Sequence, residues 1–189
     1  MTRYNGRDSR PNSQPGDGYS AEDHEKMSIL ALHGVGVHKV CRLVCVSDIR
    51  PALELNGTLD YLIDELGITP VEVSTNAQIL CEPRVNMYTI VAHVANKYGL
   101  GKIRVRDAPR ILLRKPFEID AAANLLREEY GVGCEVVSTH PRLLGQLSAD
   151  CDAAGQFMIH YARATKEWLS AHPDVLVRSV KGLRESYDF

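Results

Sequence analysis

Aromatic residues are scarce in this chain, at 6% of 189 residues with Trp168 the single tryptophan. Platforms for stacking unpaired bases are therefore few, and any contact with nucleic acid must rest on other chemistry. Charge of one sign is lacking as well. Twenty-two Lys and Arg face 24 Asp and Glu, for a net charge of -2. No global field draws the chain to an anionic polymer, although a sum near zero leaves room for a local stripe. No run of about 18 apolar residues occurs, which argues against a membrane-spanning helix. The five cysteines, Cys41, Cys45, Cys81, Cys134 and Cys151, are odd in number. With no secretory apolar stretch, they predict reduced thiols in a soluble intracellular protein. Strand-like alternation is essentially missing, and so are the nucleophile elbow, the phosphate loop and the metal-protease helix. The sequence thus points away from an enzyme, a cofactor and a small-molecule substrate.

What the chain has instead is a period. Pro109-Arg110-Ile111-Leu112 returns 32 residues later as Pro141-Arg142-Leu143-Leu144, and again as Pro173-Asp174-Val175-Leu176. One period earlier stands Ala77-Gln78-Ile79-Leu80, the same phrase without its proline. Four residues ahead of each anchor is an apolar residue: Val73, Val105, Val137 or Leu169. Gly67, Gly99 and Gly131 recur at the same interval, while Leu62, Val94, Leu126 and Met158 hold one apolar column and Leu55, Met87, Ile119 and Cys151 another. A fixed period of this size is the signature of a repeat architecture, whose units cannot bury their apolar faces alone and must stack.

In chain order, residues 1–19 are rich in Asn, Gly, Ser, Pro, Arg and Asp and predict a disordered tail. Arg3, Arg7 and Arg10 would suit an organellar targeting peptide, whereas Asp8 and Asp17 fit a plain flexible tail. Ser20-Ala21-Glu22-Asp23 reads as a helix start burying Met27, Ile29 and Leu30. His33-Gly34-Val35-Gly36 reads as a terminator and turn rather than a phosphate cradle. His38, Cys41 and Cys45 are spaced to share a helical face that metal could use, yet Cys41–Val44 also aligns with Ala77–Leu80 at an offset of 36, which makes the cysteines packing residues. A helix is expected around 57–66. Thr69-Pro70 then opens a short helix carrying Val71, Val73 and Ala77 inward. Longer helices are expected over 86–98, 118–130 and 150–162, the first two ended by a left-handed turn at Gly99 and Gly131. The last unit has Arg163 in the glycine column and a polar stretch from Arg178 in place of a long helix, and reads as a cap. The expected fold is all-α: a disordered tail, then an α-solenoid of about 32-residue repeats over residues 20–189, each with two helices and a proline-initiated turn.

Repeats of this length, with Pro109/Ile111/Leu112, Pro141/Leu143/Leu144 and Pro173/Val175/Leu176 separated by Gly67, Gly99 and Gly131, resemble the mitochondrial transcription termination factor family. The resemblance covers roughly residues 55–180. It implies two α-helices and one 3₁₀ helix per repeat, coiled so that a concave basic face holds nucleic acid in an organelle, the mitochondrion.

Six basic residues (Lys102, Arg104, Arg106, Arg110, Arg114 and Lys115) stand between positions 102 and 115 against one acid, Asp107. Two basic columns follow the period, Arg110 with Arg142 and Arg114 with Arg178. Equivalent positions of stacked units line one ridge, and the planar guanidinium suits phosphate. The candidate nucleic-acid-binding residues are therefore Arg104, Arg106, Arg110, Arg114, Lys115, Arg142 and Arg178, for double-stranded DNA or for RNA. The competing expectation is a solvated face paired with acids of neighbouring units such as Glu118, Glu128 and Glu135; the near-neutral overall charge and small repeat number favour the alternative function, a scaffold for a ribosomal or other protein. His140 and His172 recur before the prolines, but Asn76 and Ala108 share their column, so the position reads as structural. Asp150 and Asp152 read as first-turn charges of a long helix. No metal-binding residues are expected.

Overall fold

The computed structural model describes residues 18–146 and 148–186, and in them the secondary structure is helical, with no strand. The tail expected over residues 1–19 falls almost wholly outside the described residues. Helix α1 (Ala21–Leu32) starts behind a reciprocal cap, in which Asp23 N–H donates to Ser20 Oγ (3.1 Å) and Ser20 N–H donates to the Asp23 carboxylate (3.0 Å). Of the three residues expected to face inward, Leu30 is fully buried, while Met27 and Ile29 are only partly so.

From there one plan recurs. A short helix leads through a tight turn into a longer helix: α2 (Val37–Leu43), a 3₁₀ turn Val46–Asp48 and α3 (Ala52–Asp60), which runs on into a π-turn Tyr61–Glu65. The next unit is α4 (Pro70–Thr75), the 3₁₀ turn Ala77–Cys81 and α5 (Arg84–Tyr98). Then come α6 (Lys102–Arg106), Pro109–Leu113 and α7 (Pro116–Tyr130), followed by α8 (Cys134–Thr139), α9 (Arg142–Gly145) and α10 (Ser148–His160). The last is α11 (Lys166–Ala171), Pro173–Val177 and α12 (Val180–Ser186). In the fourth unit the tight turn is a single α-turn, α9, rather than 3₁₀.

Each long helix stops for the same reason. Gly67, Gly99 and Gly131 adopt φ of +69°, +68° and +69°, a left-handed conformation that costs glycine nothing. The next residue then donates its N–H to a carbonyl six positions back: Ile68 to Leu62, Leu100 to Val94 and Val132 to Leu126, at 2.9–3.1 Å. Arg163 makes the same turn at φ +56°, and Ala164 N–H closes on Met158 O at 3.0 Å. The geometry of the unit is therefore kept even where its glycine is gone, at a cost of roughly 1 kcal/mol for an L side chain in that region.

The apolar columns are the core. Leu80, Leu112 and Leu144 are fully buried and Leu176 nearly so, as are Val73, Val105, Val137 and Leu169. One continuous cluster runs from Leu30 to Leu183. Burial pushes the Cys151 thiol up to about 11, so this cysteine behaves as an inert packing group. The tight turns stack on one another, Ala77–Cys81 against Pro109–Leu113, that turn against α9, and α9 against Pro173–Val177.

Several expectations need correcting. Val71 is 68% exposed, because a six-residue helix turns only one aliphatic per turn to the core, and Val73 holds that place. The first unit aligns at an offset of 33, with Gly36 and Thr69 both N-caps and Val40 and Val73 both buried; the offset of 36 is wrong. Cys45 lies beyond α2, so His38, Cys41 and Cys45 share no helical face. The long helix of that unit begins at Ala52, not near 57. After Arg178 the chain forms α12, which buries Leu183, rather than a wholly polar stretch.

Candidate nucleic-acid interface

The tight turns follow the C-terminal ends of the short helices, so the residues around each proline gather along one edge. There, four successive units contribute to a single cavity of about 380 Å³, with Asn76, Ala108, Arg110, Arg142, Gln146 and Val177 in its wall. A second cavity of about 410 Å³ shares Arg110, Gln146 and Val177 with the first and adds Arg178 and Ser179. Arg110, Arg142 and Arg178, drawn from three units, thus face one continuous groove.

The column before the prolines has a structural role, as expected from its variety. Asn76 Nδ2 donates to Glu72 O at 2.9 Å, while His140 Nδ1 lies 3.1 Å from Val136 O and His172 Nδ1 2.9 Å from Trp168 O. Each adds a side-chain contact to a carbonyl near the end of a short helix that already accepts the same residue's backbone N–H.

The seven candidate residues separate into three sets. Arg110, Arg142 and Arg178 line the groove. Arg142 Nε donates weakly to Asp107 O (3.4 Å), which leaves the rest of its fork open, and Arg110 and Arg178 make no side-chain hydrogen bond among the described residues. Arg114 is engaged instead: Nε and one terminal nitrogen donate to Gly145 O at 3.2 and 3.0 Å, tying its unit to the next. Gln146, one period later, does the same to Val177 O at 3.0 Å. Arg114 and Lys115 border a separate cavity of about 260 Å³ between α5 and α7. Arg104 and Arg106, on α6, line none of these cavities; Arg106 sits 3.6 Å from Asp107 and packs over Gly67.

The expected pairing with acids of neighbouring units occurs at Lys102, which meets Glu65 at 3.0 Å, but not at the groove arginines. No carboxylate among the described residues lies within 4.0 Å of Arg110, Arg114, Arg142 or Arg178. Glu118 accepts from the Lys115 N–H at the start of α7, and Glu128 pairs with Arg127. The groove is nonetheless not purely basic, since Glu72, Asp107 and Asp150 also border it. Glu72 is occupied by the Thr69 cap at 2.8 Å and Asp107 by Arg106.

Two polar links escape the sequence patterns. Tyr98 Oη donates to Asp120 at 2.7 Å, and Tyr130 Oη donates to Asp152 at 2.5 Å, the same bond one period on. Asp152 is therefore a hydrogen-bond acceptor within the stack rather than a first-turn charge. His93 Nε2 (2.8 Å) and Lys97 Nζ (2.7 Å) complete the shell of Asp120. Burial pushes that carboxyl up, but the bonds from Lys97, Tyr98 and His93 outweigh it and hold the group at about 2. Lys26 is the other surprise: only 4% exposed, it reaches Val46 O at 3.4 Å and Glu22 at 3.5 Å. The signal for the tyrosine link was a Tyr in one column and an Asp 22 residues on, repeated once.

No helix among the described residues is long and apolar enough to cross a membrane, and no group of three or more His, Cys, Asp and Glu is placed to hold a metal ion. Compared with known proteins, the chain matches no family model, no curated protein and no solved structure.

Proposed function

We propose that the chain is an α-solenoid of helical repeats that binds nucleic acid through phosphate contacts in the groove along its proline turns, in organellar gene expression as the family resemblance implies. The observation that carries this is the convergence of Arg110, Arg142 and Arg178, from three units, on one groove with no carboxylate among the described residues within 4.0 Å of them. An open guanidinium fork is suited to a phosphate oxygen pair. Phosphate contacts position a protein without reading sequence, so little base preference is expected.

Neutralising about three phosphates gives a log-log salt slope near -2.7 on duplex DNA and near -2.1 on a single strand. Affinity should be on the order of micromolar or weaker at physiological salt. Reversing two groove charges, Arg110→Glu with Arg142→Glu, should weaken binding by about tenfold or more for every sequence alike. The measurement is fluorescence anisotropy on labelled DNA and RNA across a salt series, with circular dichroism confirming that the variant is folded. Glu72, Asp107 and Asp150 in the same groove favour a second reading, a scaffold for a mixed-charge protein segment such as one on a ribosomal protein. That reading takes over if the unaltered protein binds neither DNA nor RNA at about 50 mM salt, well below the range where phosphate contacts are screened out.

A further inference from the structure

The residues that follow Ala77, Pro109, Pro141 and Pro173 form a column of their own: Gln78, Arg110, Arg142 and Asp174, all exposed on turns that stack on one another. Its charge runs from neutral through two positives to a negative. Burial does not account for the reversal at the end, since the Asp174 side chain is 73% exposed. No lysine or arginine among the described residues lies within 4.0 Å of its carboxylate, and its one basic neighbour is His140 Nε2 at 4.0 Å.

The side chains of this column lean the same way. Arg142 Nε lies 3.4 Å from the carbonyl of Asp107, which ends α6, and Asp174 lies against His140, which ends α8. Arg110 borders the same cavity as Asn76, which ends α4. Each stands over the end of the short helix one unit back. Asp174 thus holds in the fifth unit the place that Arg110 and Arg142 hold in the third and fourth, and a phosphate chain running straight on from Arg142 meets a carboxylate. The open cation of the fifth unit is elsewhere. Arg178 follows the same turn at its other end and borders the second cavity with Asp150 and Ala153 of α10, where two arginines face the one carboxylate. Gln146, uncharged and tied to Val177 O at 3.0 Å, borders one cavity with Arg142 and the next with Arg178.

We propose that Asp174 is a specificity-determining residue of the groove: it bars a phosphate from the straight path across the turns and diverts the strand past Gln146 towards Arg178. This inference rests on the nucleic-acid reading given above and adds to it the course of the strand. A carboxylate and a phosphate charge held about 4 Å apart in water repel by enough to cost about fivefold in affinity. Asp174 acts by exclusion, without a contact to the ligand of its own.

The test titrates a fluorescein-labelled strand of about 12 nucleotides, alone and as a duplex, with the full chain at about 50 mM salt. Asp174→Arg should tighten binding about fivefold or more, Asp174→Asn by a smaller factor, and Asp174→Glu should bind as the unaltered chain does. Glu25→Arg makes the same change of charge at an exposed position of α1 that borders neither cavity, and should move affinity by less than about twofold. That control separates a local effect from one of net charge, and thermal melts check that each variant is folded. The course of the strand is read from a double-mutant cycle. Arg178→Gln should weaken the unaltered chain about threefold but the Asp174→Arg chain by less than about 1.5-fold, because the straight path is then open. With the nucleic-acid reading intact, the proposal is overturned if the unaltered chain binds, Arg110→Glu with Arg142→Glu weakens it, and Asp174→Arg binds no more tightly than Glu25→Arg. Equal losses from Arg178→Gln in both backgrounds overturn it too, since Asp174 would then be one more charge and not a barrier on the path. An unaltered chain that binds neither probe removes both readings together.

Discussion

The junctions between successive long helices are built in one way near the start of the chain and in another further on. Three columns meet there, and in the first junction they hold Leu66, Tyr88 and Val91. Tyr88 rests edge-on against Tyr61 with ring centroids 4.4 Å apart, and Tyr61 is 1% exposed with no hydrogen-bond partner for its hydroxyl among the described residues. In the next two junctions the same columns hold Tyr98, Asp120 and Ala123, then Tyr130, Asp152 and Gly155, and a tyrosine-to-aspartate hydrogen bond replaces the apolar contact. The backbone register is shared, but the chemistry is not. What the polar version requires is room: as the tyrosine enters, the residue opposite shrinks from Val91 to Ala123 to Gly155. A Cβ on Gly155 would collide with the ring of Tyr130.

That account is broken most directly at Gly155. Helix propensity alone favours alanine there by about 1 kcal/mol. The collision should reverse the sign, so Gly155→Ala is expected to lose about 1–3 kcal/mol of stability in urea titrations. Combining it with Tyr130→Leu, which restores the residue type of the first junction, should recover part of the loss, as the double-mutant cycle would show. An alanine variant as stable as the parent would mean that the small residue has nothing to do with the tyrosine.

The next largest effect concerns Asp120, whose carboxyl is held at about 2 against an ordinary 3.8. A depressed carboxyl stabilises the fold fully above its unfolded value and loses that contribution as pH falls through the folded value. The side chain is 29% exposed, so screening trims the effect to about 1–2 kcal/mol. Asp120→Asn should cost that much at pH 7, and the gap between variant and parent should narrow as pH drops from about 4 towards 2. Urea midpoints at neutral and acidic pH read it directly. Tyr61→Phe gives the smallest change. Burial pushes this phenol up to about 12, and its hydroxyl has lost water without gaining an acceptor among the described residues. Removing the hydroxyl should therefore be neutral or stabilising by up to about 1 kcal/mol in a thermal melt. The same change at Tyr98 should destabilise, because there the donor has its aspartate.

Legibility in the sequence followed the type of interaction. The buried columns and the left-handed turns repeat residue types at fixed spacing, so Leu112, Leu144 and Gly131 could be read directly, whereas Arg163 stood in the glycine column as a loss and only the structure shows that it keeps the turn. Polar links do not announce themselves in that way. Tyr98 and Asp120 are 22 residues apart, meet only because two long helices lie side by side, and recur once. Arg114 carried the opposite lesson. Its charge and its period suggested phosphate, whereas a carbonyl of the next unit was close enough to hold it. Sequence spacing placed the arginines on one edge, but which of them stayed open depended on backbone atoms that have no letter in the sequence. Val71 was misplaced for a simpler reason: in a helix of six residues, one turn of phase decides everything.

The bonds from Arg114 to Gly145 O and from Gln146 to Val177 O bear on how such a chain can change over time. In each, the receiving atom belongs to the main chain. No substitution in the receiving unit can delete it, so the integrity of the joint rests on one donor side chain alone, and the neighbour's residues at 145 and 177 are released from any duty to match it. A unit that brings its own donor can be duplicated, exchanged or allowed to drift beside almost any successor. Arginine and glutamine, unlike in charge and size, already serve at the same position.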